Sequence, residues 1–137
     1  MTFYSDENIS PIFADMLKHY CPEHPVIAHR DRFEQGTADD VWLPVVAAWT
    51  PKPVTLLGDG RILRKPQLKI IARGTGMSFV VMAESFMNLP FQEQTWKFFK
   101  VWPDIIRLTT KARSPTIFDV KIRQMEVIVR HFTATLQ

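Results

Sequence analysis

The chain of 137 residues holds one cysteine, Cys21, so it has no internal disulfide and no second thiol with which to build a zinc site. Cys21 therefore reads as structural. Long apolar runs are also scarce. Met77 to Ala83 and Val41 to Trp49 fall well short of the ~20 apolar residues a membrane-spanning helix needs. The opening Met1-Thr2-Phe3-Tyr4-Ser5-Asp6-Glu7 lacks the basic leader and apolar run of a secretory signal, and a reducing cytoplasm is the expected compartment. No P-loop and no G-x-G-x-x-G occurs, and Gly74-Thr75-Gly76 alone is too little to cradle a dinucleotide. The four histidines (His19, His24, His29, His131) show no metal-ligand spacing, no paired nucleophile and no G-x-S-x-G context, so they read as surface or core residues. Internal repeats, low-complexity stretches and linkers are absent.

A hydrophobic content of 46% over this length is enough for one core, and a single domain over residues 1–137 is expected, burying roughly two-thirds of the unfolded surface. Seventeen Lys and Arg against fourteen Asp and Glu leave a formal charge of only +3. Placement says more than the total. Acids crowd the first half (Asp6, Glu7, Asp15, Glu34, Asp39, Asp40), and bases gather at Arg61, Arg64, Lys65, Lys69 and Arg73, then again from Lys97 to Arg113. Acids in one cluster with bases around them suit a metal site that handles a polyanion.

Strand and helix signals alternate. Thr2 to Tyr4 is a short β-prone run, and Ser10-Pro11 supplies an N-cap with proline at the first helical position. Phe13, Met16, Leu17 and Tyr20 then form the stripe of a helix that Cys21-Pro22 stops. Pro25 to His29 predicts a second strand. Thr37 is expected to cap a second helix with a stripe of Trp42, Val45, Val46 and Trp49, in which Pro44 must lie near enough to the start for the first turn to tolerate it. Val54 to Leu57 reads as a strand buried on both faces, ending at Gly58-Asp59-Gly60. A helix from about Pro66 to Arg73 should stop at Gly74 as its C-cap, and Met77 to Ala83 gives a fourth strand. From Pro90 a long helix carries Trp96, Phe99 and Trp102, with an interruption expected at Pro103 and a resumption from Asp104 to Arg113. Thr116 to Ile122 and Glu126 to Arg130 alternate as edge strands would. The pattern predicts an α/β fold with a mostly parallel central sheet, helices on both faces, and a ligand crevice beyond the carboxyl ends of the strands.

Asp6 falls where the first strand gives way to its helix, and Asp59 falls just past the third strand. Asp39 and Asp40 sit in the first turn of the second helix, near the same edge. Thr37 and Asp40 have capping-box spacing, which offers Asp40 a structural role and leaves Asp39 less explained. Crowded like charges are unfavourable without a cation, and an all-oxygen set suits Mg²⁺ or Mn²⁺. Such an ion lowers the pKa of a bound water and neutralises charge on a phosphodiester under attack. Glu7, beside Asp6, reads as solvated. The aromatic positions Trp42, Trp49, Trp96, Phe99 and Trp102 read as core or partner-facing, since their spacing is helical.

Several pieces in order carry a resemblance: Tyr4-Ser5-Asp6-Glu7-Asn8-Ile9-Ser10, Arg30-Asp31-Arg32-Phe33 with Gly36-Thr37-Ala38-Asp39-Asp40-Val41-Trp42, Leu57-Gly58-Asp59-Gly60-Arg61-Ile62, and Leu89-Pro90-Phe91-Gln92-Glu93-Gln94 with Trp102-Pro103. Over about residues 3–108 the chain resembles PIN-like domains, the ribonuclease fold of VapC-type toxins, in the compact branch that opens with D-E-N-[IL]-S. Residues from about 114 to 137 form a C-terminal extension. The resemblance implies a Mg²⁺- or Mn²⁺-dependent endoribonuclease, the toxin of a type II toxin–antitoxin pair, with Asp6, Asp39 (less surely Asp40) and Asp59 as metal ligands. It further implies an RNA substrate, a cognate antitoxin protein and a homodimer. Arg61, Arg64 and Lys65 are candidate phosphate contacts. Two departures stand out: Glu84 is the sole candidate for the family's fourth acid, and Gly58 precedes Asp59 where a hydroxyl or basic residue is frequent, which is expected to loosen the site. The alternatives are a catalytically weak or inactive PIN-like module that binds RNA or a protein partner, and a structural partner that docks through the helix around Trp96 to Trp102.

Overall fold

A computed structural model describes residues 1–58, 60–113, 115–121 and 125–130, leaving aside the side chain of Glu84. The elements run β1 (Phe3–Ser5), α1 (Pro11–Tyr20), β2 (Val26–Ala28), α2 (Asp39–Ala47), β3 (Val54–Leu57), α3 (Pro66–Gly74), β4 (Phe79–Met82), α4 (Glu84–Met87), α5 (Phe91–Lys111), β5 (Ile117–Lys121) and β6 (Glu126–Arg130), with 3-10 turns at His29–Asp31 and Arg61–Leu63. The strands form one six-stranded sheet in the order β2-β1-β3-β4-β5-β6, parallel except for the antiparallel β5–β6 pair.

Period-two alternation along the strands divides the core between the two faces. Phe3, Leu56, Val80, Met82, Phe118 and Val120 pack with Phe13 and Leu17 of α1, Phe86 of α4, and Phe98, Trp102 and Ile105 of α5. Tyr4, Leu57, Phe79, Val81 and Ile117 pack on the opposite face with Trp42, Leu43 and Val46 of α2 and Ala72 of α3. Helices therefore cover both faces, as the continuous apolar strands required. Phe13 stacks on Phe98 at 5.2 Å between centroids and Phe98 on Trp102 at 5.6 Å. A fully buried ring of this kind contributes roughly 1.5–3 kcal/mol.

Local signals explain most boundaries. Ser10 Oγ accepts from the Ile12 N–H at 3.3 Å with Pro11 at the first helical position, and the Cys21 N–H closes α1 on the Leu17 carbonyl at 2.7 Å. Five expectations are corrected. The N-cap of α2 is Ala38, with no side-chain cap, because the Thr37 hydroxyl turns back to donate to the Glu34 carbonyl at 2.6 Å, so the capping box with Asp40 does not form. The buried face of α2 is Trp42, Leu43 and Val46, whereas Val45 is 46% exposed. Pro44 is the sixth residue of α2, past its first turn, and stands exposed on the solvent side of the helix. Likewise α5 runs unbroken for 21 residues through an exposed Pro103. Finally, α3 includes Gly74, and the left-handed position that ends it is Gly76, at φ +72°.

β5, expected at an edge, lies inside the sheet between β4 and β6, so the described part of the C-terminal extension completes the sheet. β1 is flanked by β2 on one side and β3 on the other, with α1 and α2 on opposite faces. The chain thus reverses direction across the sheet at β1, and a crevice opens beyond the carboxyl ends of β1 and β3. Among the described residues no helix is long and apolar enough to cross a membrane.

Candidate metal centre

Asp6 is the first residue past β1 and is buried. Its own N–H donates to the Leu56 carbonyl at 3.0 Å, which extends the β1–β3 ladder by one residue, and its carbonyl accepts from the Ile9 N–H at 3.2 Å in the turn toward α1. Oδ1 accepts from the backbone N–H of Asn8 at 3.2 Å and of Gly58 at 3.1 Å. The carboxylate is therefore held between the exits of two parallel strands. Gly58 makes this possible: a Cβ there would stand 2.5 Å from the Cβ of Asn8. The glycine expected to loosen the site instead allows the two segments to meet.

Asp39 opens α2, and its Oδ1 accepts from the Trp42 indole N–H at 3.0 Å. Trp42 is fixed in the core, so one buried ring sets the direction of a half-buried carboxylate one helical turn away. Asp6 and Asp39 line one cleft of about 210 Å³ together with Glu7, Asn8, Arg61 and Lys65. Asp40 and Arg64 are exposed and lie outside that lining. Asp59 lies outside the described residues, as does the side chain of Glu84.

Glu7 is exposed, as expected, and its carboxylate is also tied into the site. Its Oε2 accepts from the Gly36 N–H at 2.9 Å and stands 4.0 Å from Nε2 of His29. Tyr4, buried behind the acids, hydrogen-bonds through its hydroxyl to Nδ1 of His29. Burial pushes the Tyr4 phenol well above its ordinary range, and the charges of Asp6, Glu7 and Asp39 push it further. Three carboxylates thus bear on one buried point. His29 occupies the position past β2 that corresponds to Asp6 past β1, since Ser5 pairs with Ala28. That shared position at a strand exit is the signal by which His29 was findable; ligand spacing carried none, and nothing in the sequence singled out Glu7. Cys21 stands apart from the cleft, its thiol held above the usual range by burial and then by Glu23, which suits a structural cysteine.

Among the described residues, no three His, Cys, Asp or Glu side chains make a metal-holding group. Asp6 and Asp39 nonetheless fit a hard divalent cation. Both are oxygen donors on one cleft wall, and each has one oxygen anchored by N–H donors, which fixes its orientation before any ion arrives. Arg61 and Lys65 on the same lining favour an anionic ligand over that wall.

A family model described as a PIN-like domain matches residues 1–84, the span from β1 to the first residue of α4 that includes Asp6, Asp39 and Asp59. Neither a curated protein nor a solved structure matches the chain.

Proposed function

From the premise that the chain belongs to the PIN-like domain family, we propose that it is a Mg²⁺- or Mn²⁺-dependent endoribonuclease, the toxin of a type II toxin–antitoxin pair. PIN-like domains are generally nucleases. The observation that carries the reading is the placement of Asp6 and Asp39 on one cleft wall with Arg61 and Lys65 beside them. In this reading Asp6, Asp39 and Asp59 hold the cation. The bound ion supplies an activated water and neutralises charge on the phosphate oxygens.

The chain's own residues supply position and field. Gly58 and Asn8 hold Asp6 by their backbone N–H groups, and Trp42 holds Asp39. Arg61 and Lys65 draw the phosphate backbone into the cleft, with Arg64 as a further contact beyond it. Cytoplasmic action, restraint by a cognate antitoxin protein and assembly as a homodimer belong to the same proposal. A second reading, a PIN-like module that binds a protein partner without cutting, is supported by apolar residues left exposed on α1 and α5: Ile12, Tyr20, Phe91 and Trp96.

The test is cleavage of a mixed RNA pool by purified protein, in Mg²⁺ or Mn²⁺ and in EDTA, with Asp6→Asn, Asp39→Asn and Asp59→Asn alongside wild type. Metal-dependent cleavage lost in the variants is the expected result. Wild type and variants behaving alike would end the catalytic reading and favour the second.

A further inference from the structure

The metal chemistry leaves one neighbouring cavity unused. It measures about 180 Å³, shares Asp6 and Glu7 with the metal cleft, and is lined further by the apolar Ile9, Pro11 and Ala28 and the polar Arg30 and Gln35. His29 stands in its wall, 3% exposed. The imidazole is clamped: it stacks on Phe33 at 5.2 Å, meets Trp42 edge-on at 6.1 Å, and bonds through Nδ1 to the Tyr4 hydroxyl. Nε2 has no hydrogen-bond partner despite its burial. A buried polar atom without a partner is costly and calls for an occupant.

The facing group is the Glu7 carboxylate, whose Oε2 lies 4.0 Å from Nε2 and is steadied by the Gly36 N–H. That gap is too wide for a direct hydrogen bond. A buried tyrosine hydroxyl ordinarily donates, and donation from Tyr4 to Nδ1 puts the ring proton on Nε2. The gap therefore has a donor on one side and an acceptor on the other. One oxygen about 2.8 Å from each spans it with an angle of about 90°, provided that oxygen both accepts and donates. A hydroxyl does both; an ether only accepts, and a C–H does neither. In RNA such a hydroxyl sits on the carbon next to the one bearing the 3′-phosphate, so a phosphate in the metal cleft brings the 2′-hydroxyl to the adjoining cavity.

We propose that His29 Nε2 and Glu7 grip the 2′-hydroxyl of the ribose beside the scissile phosphate and so select RNA over DNA. The proposal rests on the nuclease reading for the identity of the polymer, and it assigns His29 and Glu7 a role separate from holding metal.

The test uses RNA and DNA oligonucleotides of identical sequence, and RNA carrying a single 2′-deoxy or 2′-O-methyl group at each position in turn. Cleavage is read in Mn²⁺ and affinity in EDTA, for wild type, Glu7→Ala and His29→Phe. Wild type is expected to favour RNA by about tenfold or more, and one modified position beside the cut should cost a similar factor. In Glu7→Ala the ratio of RNA to DNA should fall toward one, a change that general damage to the fold does not produce. Glu7 is on the surface, so this variant reads out even where His29→Phe fails to fold, and the modified substrates need no variant at all. A ratio unchanged in Glu7→Ala, or a wild type indifferent to the 2′ group, would overturn the proposal and leave the gap to water while the nuclease reading stands. Sugar-selective binding without cleavage would sink the nuclease reading alone. Loss of all binding and cleavage in wild type overturns both.

Discussion

Gly58→Ala is a severe test of how the carboxylate cleft is built. A Cβ at Gly58 would stand 2.5 Å from the Cβ of Asn8, 3.0 Å from its carbonyl carbon and 3.2 Å from its carbonyl oxygen. Carbon atoms pack at about 3.5–4.0 Å, so the β3 exit and the β1–α1 turn must part by roughly 1 Å. Two of the three contacts are backbone, which no rotamer change relieves. Overpacking of this kind costs about 1–3 kcal/mol. The same parting stretches the 3.1 Å bond from the Gly58 N–H to Asp6 Oδ1 beyond hydrogen-bonding range, and a hydrogen bond to a charged group contributes about 1.5–3 kcal/mol. One movement relieves the clash and breaks the bond, so the two costs overlap and a total of about 2–4 kcal/mol is expected. With a urea slope of about 2 kcal/mol per molar, the unfolding midpoint should fall by about 1–2 M at unchanged slope.

Gly74→Ala is the internal control. Nothing lies within 4 Å of a Cβ there, Gly74 is not in the left-handed region, and it ends α3, so alanine should stabilise by a few tenths of a kcal/mol, about 0.5 at most. A Gly58→Ala midpoint within about 0.3 M of wild type would show that the strand exits do not meet as described, and with it the account of how Asp6 is held would fall.

Further outcomes follow from the same contacts. Tyr4→Phe keeps the ring in the core but leaves Nδ1 of His29 buried and unpaired, and should cost about 1–3 kcal/mol by urea denaturation; a neutral result would refute the Tyr4–His29 bond. Trp42→Phe keeps an aromatic core while removing the N–H that orients Asp39, so RNA cleavage should drop about 10- to 100-fold while stability falls by about 1–2 kcal/mol; equal activity would show that this bond does not orient Asp39 for the reaction. Cys21 has its thiol raised by burial and by Glu23, so less of it is thiolate at any given pH, and iodoacetamide should alkylate it at pH 8 more slowly than free cysteine. Alkylation as fast as free cysteine would contradict that environment.

The strands and the first helix were legible because punctuation and pattern agree: Ser10-Pro11 starts α1, Cys21-Pro22 ends it, and Val54 to Leu57 carries no charged residue, its one polar side chain, Thr55, being β-branched and buried. Misreadings arose where two residues competed for one role. Val45 and Leu43 are both apolar and satisfy different faces of α2, and the face is chosen by where β1 and β3 present Tyr4 and Leu57, a tertiary fact. Thr37 and Ala38 both precede the helix, and the threonine hydroxyl spends its bond on Glu34. Pro44 and Pro103 are tolerated within helices because each faces solvent, which the residue type does not reveal.

The site divides along the same line. Asp6 was legible because a parallel sheet places the residue after a strand in the crevice whatever the neighbours are, and Asp39 because a helix start gathers near that edge. His29 follows from the same rule applied to β2, yet a lone histidine carries no sign of a partner. Its relation to Glu7 is set by the β1–β2 register, in which Ser5 pairs with Ala28, and by the turn that carries the chain from Asp6 into α1. A one-residue slip in that register would turn His29 to the opposite face and remove the gap that a hydroxyl can bridge. The pairing of β1 with β2 therefore decides the proposed choice between ribose and deoxyribose, although neither strand contributes a charged side chain to the cavity.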